Sequence, residues 1–302
     1  MPKLQVRILL SLLLLFALLE MQIVAAVPSE CQDIWRVDLY AVARLNADEQ
    51  YFSKLKYYRW QNNRWQASDA EVFFDTQQPE IPLIVFTPGY TLTAQQTTQV
   101  GFGIVRNFDP NKPCRVVFWN WYSERGNGNI RRDLQNKIKV VNNTAGYLAL
   151  FLQALKPQSK ACLFGFSYGG RVTCNAAEAL RKNNQQPEGL RLHLVLSGAA
   201  TDREWFAKGH RHENIPQIAE KILVTYNPDD WALPLYHLIY DFRCDTIALG
   251  LEGVPMRSVP PEFRDRFESI DVSRYTGNKH NTLQHVQNPI FRNRINTYFF
   301  FE

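Results

Sequence analysis

The chain has 302 residues, 45% of them hydrophobic and 21% charged, with a formal net charge of +5. That length is ample for one large core. The 34 Lys and Arg residues are spread along the chain with no basic block, which argues against a nucleic-acid partner.

In chain order, residues 1–26 have the pattern of a secretory signal. Lys3 and Arg7 form a positive start, residues 8–19 are apolar except for Ser11, and Val24-Ala25-Ala26 offers small residues for cleavage after Ala26. The run is short for a membrane span, which needs about 20 residues. An N-terminal membrane anchor is the alternative, because Met21, Ile23, Val24 and Ala25 extend the stretch; Glu20 and Gln22 weigh against it. The expectation is an exported protein with residues 27–302 as a single domain and no stable span in the mature chain. Five cysteines (Cys31, Cys114, Cys162, Cys174, Cys244) include no Cys-x-x-Cys pair and no zinc-type spacing. An oxidising compartment would allow one or two disulfides, of unassigned pairing. Cys162 and Cys174 are expected to be buried packing residues.

Residues 34–42 alternate and predict a first strand. Residues 56–66, aromatic-rich around Asn62-Asn63, predict a hairpin, and residues 71–74 another short strand. The continuous apolar run 81–86 predicts a central buried strand ending in Thr87-Pro88-Gly89-Tyr90. Residues 115–119 predict the next strand. Residues 136–155 have helical spacing, with Asn143 or Thr144 as a cap for the regular part. Asn142-Asn143-Thr144 also matches a glycosylation acceptor. Further strands are expected at 161–166, 190–196, 221–226 and 269–272, a helix at 171–182, and a closing helix at 288–300. Alternating strands and helices imply an α/β fold, a mostly parallel central sheet with helices on both faces. Sites in such folds lie beyond the carboxyl ends of the strands.

Gly165-Phe166-Ser167-Tyr168-Gly169-Gly170 joins an expected strand to an expected helix. A sharp turn there would strain the backbone of Ser167 and expose its hydroxyl, with the helix N-terminus beside the oxygen where negative charge develops. A serine hydroxyl needs a base, usually a histidine oriented by a carboxylate. Of six histidines, His193 lies inside a strand. His210 and His212 lie in a polar loop and are expected to be solvated, and His237 is in an aromatic stretch. His280 follows the last strand, where a loop can reach back over the sheet; it is favoured, with His285 the alternative. Asp230, after an apolar strand and Asn227-Pro228, is the favoured acid, with Asp229 and Asp202 as alternatives. The oxyanion donors are expected to be the N–H groups of Tyr168 and Tyr90, since Pro88 has no N–H.

These features resemble the α/β-hydrolase superfamily. The resemblance runs from about residue 81 to 300 and rests on Gly165–Gly170, Pro88-Gly89-Tyr90, Asp230 and His280, in the order Ser, Asp, His. Pro88-Gly89 replaces the superfamily's usual His-Gly. Phe118-Trp119-Asn120-Trp121-Tyr122 before a long helix looks like lipase-type and esterase-type members. The resemblance implies a serine hydrolase acting through an acyl-enzyme on a small-molecule ester or lipid-like substrate, with no cofactor and no metal. An amidase or peptidase on the same residues, or a non-catalytic binding protein on the same fold, are the alternatives.

Overall fold

A computed structural model describes residues 32–126, 129–182, 184–239 and 246–302. The signal-like segment 1–26, Cys31, Cys244 and the His237 side chain lie outside the described residues.

Nine strands form one sheet among the described residues: β1 (Gln32–Asp38), β2 (Lys56–Gln61), β3 (Arg64–Ser68), β4 (Leu83–Thr87), β5 (Cys114–Asn120), β6 (Lys160–Phe166), β7 (Arg191–Ser197), β8 (Ala219–Tyr226) and β9 (Phe267–Asp271). Their spatial order is β3-β2-β1-β5-β4-β6-β7-β8-β9. The β1–β2 and β2–β3 pairs are antiparallel and every other pair is parallel. The helices used below are α1 (Ala70–Asp75), α2 (Ala94–Val105), α3 (Ile130–Gln153), α4 (Tyr168–Lys182), α5 (Thr282–Gln287) and α6 (Pro289–Phe299).

The central strands are apolar throughout because both faces are covered. Leu83, Val85, Val117, Trp119, Leu163 and Leu194 face one side and pack with Tyr147, Phe151 and Val172 of α3 and α4. Ile84, Phe86, Val116, Phe118, Phe164 and Val195 face the other and pack with Phe102, Val286, Phe291 and Phe299. The period of two thus splits each strand between two cores.

Several elements differ from the sequence expectation. Residues 71–74 are helical, inside α1, because the Asp69 carboxylate caps the turn by accepting from Val72 N–H at 2.8 Å. Phe73 of that turn is fully buried against Trp35, at 5.0 Å between rings, so tertiary burial reinforces the cap. Helix α2 was not expected, although Thr93 and Gln96 form a reciprocal capping box at its start. Helix α3 starts at Ile130, so Asn143 and Thr144 lie inside it and are buried rather than capping it. The closing helix is present as α6, its start capped by Asn288 accepting from Ile290 and Phe291 N–H, but the short helix α5 before it was not expected. His212 is fully buried, not solvated: its Nε2 lies 3.1 Å from Asn175 Oδ1 and its ring meets Trp205 edge-on at 4.8 Å. Cys162 and Cys174 are fully buried, as expected. Among the described residues no helix is long and apolar enough to cross a membrane.

Candidate active site

The carboxyl ends of the central strands are level. Thr87 pairs with Gly165, Phe166 with Ser197, Ser197 with Thr225, and Tyr226 with Asp271. Each loop leaving these ends therefore starts from one rim.

Ser167 stands between β6 and α4 at φ +53°, a left-handed conformation unfavourable for a residue with a Cβ. Its backbone is held on both sides: its N–H donates to Ser197 O at 3.1 Å, and its carbonyl accepts from Gly170 and Ala200 N–H at 3.0 and 2.9 Å. The turn closes because two glycines admit backbone. A Cβ on Gly165 would lie 2.4 Å from Gly169 O, and one on Gly169 would lie 2.0 Å from Thr87 O. Tyr168 opens α4, so its N–H is one of the helix-start donors that lack an intrahelical acceptor.

Gly89 is beside the serine: a Cβ there would lie 3.1 Å from Ser167 Cβ. The loop from Pro88 to Leu92 is laced to the segment 121–126. Trp121 Nε1–H donates to Pro88 O at 2.9 Å, Thr91 N–H to Ser123 O at 2.8 Å, and Ser123 Oγ–H to Leu92 O at 2.7 Å. The Tyr90 hydroxyl donates to the Asp133 carboxylate, which also accepts from Gly126 N–H at 3.0 Å. Thr91 adopts φ +85°, and a β-branched residue holds that conformation only when its surroundings impose it. The sequence pointed to Gly89 and Tyr90 in this loop but not to the partners that hold it, because those lie 31 to 43 residues downstream.

Asp230 is 2% exposed. Its Oδ1 accepts from Ala232 and Leu233 N–H at 2.8 and 3.1 Å, and its Oδ2 lies 2.6 Å from His280 Nδ1. Burial works to raise the carboxyl. The nearby His280, the hydrogen bond to it and the two backbone donors outweigh burial and hold Asp230 below the ordinary 3.8. An ionised Asp230 requires the proton on His280 Nδ1, which leaves Nε2 able to accept one. The His280 ring lies over Phe166, 4.7 Å between centroids, so it stands next to the residue preceding Ser167.

The alternatives occupy other places. Asp229 is exposed and its N–H closes a turn on Asn227 Oδ1 at 3.0 Å. Asp202 caps a short 3-10 helix by accepting from Glu204 N–H at 2.9 Å. His285 is fully buried inside α5, its Nδ1 within 3.0 Å of Ser197 Oγ and 2.9 Å of Thr225 Oγ1. Both histidine rings crowd Gly198: a Cβ there would lie 3.2 Å from His285 Cε1 and 3.6 Å from His280 Cε1. Among the described residues no three His, Cys, Asp or Glu side chains gather as a metal site.

Burial, with the neighbouring His280 next, lowers His285 to about 3, and burial lowers His212 well below 6.5. A histidine kept neutral in the fold protonates only on unfolding, so its stabilisation is complete above the unfolded value of about 6.5. It is lost as pH falls from there toward the folded value. Two such groups cost about 2–3 kcal/mol per pH unit below 6. Urea unfolding at pH 7.5, 6.0 and 5.0 should show this steep loss, and His285→Asn should make it shallower. A flat profile would mean that these rings are not kept neutral.

No family model matches the chain, and no curated protein matches it. Solved structures do resemble it at low identity. A putative hydrolase from Agrobacterium vitis is 14% identical, with 74% of this chain and 89% of that chain covered and a TM-score of 0.42. A bacterial heroin esterase is 11% identical, with 81% and 80% covered and a TM-score of 0.42. An esterase B from Lactobacillus rhamnosis is 10% identical, with 90% and 86% covered and a TM-score of 0.40. Likeness at this level carries no information about substrate. The strand order, the crossover that places β4 between β5 and β6, and the strained strand–serine–helix turn at the sheet's carboxyl rim stand on their own: the chain has the α/β-hydrolase fold.

Proposed function

We propose that this chain is a serine hydrolase acting on carboxylic esters. The observation that carries the reading is the 2.6 Å Asp230–His280 contact, its histidine packed on the residue before a positive-φ serine. His280 Nε2 takes the Ser167 hydroxyl proton as Oγ attacks the ester carbonyl carbon. Backbone N–H groups of Tyr168 and Tyr90 receive the oxyanion. His280 then gives its proton to the departing alcohol, leaving Ser167 acylated. Water, deprotonated by the same nitrogen, attacks the acyl carbon; the acid leaves and the serine recovers its proton. Asp230 stays ionised throughout, fixes the tautomer and stabilises the transient imidazolium. The residues named here need no cofactor for this chemistry. An ester is preferred over an amide because its alcohol leaves more readily. The signal-like residues 1–26 support export.

The test is labelling of the purified protein with a fluorophosphonate, with a short-chain chromogenic ester in parallel. Wild type should label and turn over, and Ser167→Ala should do neither while keeping its fold. A folded wild type that is inert to both would remove the hydrolase reading and leave a binding protein on the same fold.

A further inference from the structure

Asn227 lies one residue beyond β8, is fully buried, and every polar group it has is engaged. Its N–H donates to Gly250 O at 2.8 Å, and its carbonyl accepts from Asp230 N–H at 3.1 Å. Its Oδ1 accepts from Asp229 N–H at 3.0 Å. Its Nδ2 donates to Thr276 Oγ1 at 3.0 Å and to Gly277 O at 2.8 Å. The first set shapes the loop that presents Asp230. The second grips the loop that presents His280, three residues past Gly277. Gly277 itself turns at φ +57°, so the chain reverses where the amide holds it. A backbone bond from Trp231 N–H to Asn278 O, 3.2 Å, joins the same two loops. The acid and the base are 50 residues apart in the chain, and the buried Asn227 side chain bonds to both of their loops.

We propose that Asn227 is a positioning residue that sets the Asp230–His280 hydrogen bond, and through it the basicity and aim of His280. The claim rests on the hydrolase reading for its kinetic consequence but not for its geometric one. Asparagine suits the position because it offers two donors and an acceptor on one rigid plane. Aspartate would keep the acceptor toward Asp229 N–H while setting a carboxylate oxygen against the Gly277 carbonyl. The group acts through His280 and makes no contact with substrate, so its loss should fall on kcat rather than KM.

The experiment uses wild type, Asn227→Asp and Thr276→Val, the last a milder cut that removes one of the two acceptors if Asn227→Asp does not fold. The first readout is the low-field proton resonance of His280 Nδ1, assigned by its absence in His280→Gln. The second is ester hydrolysis across pH. The expected result is loss or exchange broadening of the resonance in Asn227→Asp. Its kcat should fall roughly 30–100-fold, with KM within about threefold and the acidic limb of the kcat profile displaced. Thr276→Val should follow at roughly 3–10-fold. A folded Asn227→Asp, or failing that Thr276→Val, with an unchanged resonance and kcat would overturn the proposal. So would a wild type with no such resonance, because the hydrogen bond to be positioned would not exist. If the resonance is present in wild type and lost in the variant, yet neither protein turns over ester or reacts with fluorophosphonate, the positioning role stands and the hydrolase reading fails.

Discussion

Ser167→Ala and His280→Ala should each lower kcat for ester hydrolysis by roughly 10⁵–10⁶, and the double variant should be no worse than either single one. The reason is that in the proposed mechanism the two residues perform one event. Without His280 the hydroxyl keeps its proton, and without Ser167 the imidazole has nothing to activate but water. Asp230→Asn should cost less, about 10⁴. An amide at that position can turn its N–H toward His280 Nδ1, which forces the proton onto Nε2 and blocks acceptance from Ser167. The lesser loss is consistent with an acid that orients rather than reacts: its other oxygen is already spent on Ala232 and Leu233 N–H. Stopped assays with single and double variants, all checked for folding, decide the matter. Strictly additive losses would mean that Ser167 and His280 act in separate events, and an active Ser167→Ala would move the nucleophile elsewhere.

Gly169→Ala should damage both fold and reactivity. The added methyl would lie 2.0 Å from Thr87 O and 2.7 Å from Pro88 O, and both are backbone atoms. No side chain can swing aside. Either β4 separates from the start of α4 or the variant does not fold, at a cost of about 3–5 kcal/mol. The displaced segment leads directly into Gly89 and Tyr90, so fluorophosphonate labelling should fall with stability. Urea unfolding alongside a labelling time course would test this. A variant within about 1 kcal/mol of wild type that labels normally would show that the close approach is not needed.

The parts of this fold legible in the chain are those whose causes are local. The apolar runs of β4 to β8 announce burial on both faces by composition alone. The Ser167 turn was legible because its requirements, small residues at Gly165 and Gly169 between a strand and a helix, all fall within six consecutive residues. Locality also misled. Val72-Phe73-Phe74 has strand composition, and only the Asp69 cap and the pocket beside Trp35 make it helical. Thr93 and Gln96 spell a helix start, but the segment that follows, rich in Gln, Thr and Gly, carries little apolar periodicity.

The chain alone showed the succession of the central strands, the serine turn and a short list of candidate acids and bases. Only the tertiary structure decided which acid meets which base. Asp229, Asp230 and Asp202 are chemically alike as carboxylates. Of the three, Asp230 lies against His280, where Asn227 and the Trp231 N–H bond across to the loop that carries His280. His280 and His285 are five residues apart, yet one lies over Phe166 with part of its ring in solvent and the other is sealed against Ser197 and Thr225. Burial depends on what the rest of the chain places around a side chain, and these partners lie 50 to 90 residues away in sequence. No local pattern encodes a contact at that separation; it forms when the parallel sheet brings the strand ends to one rim.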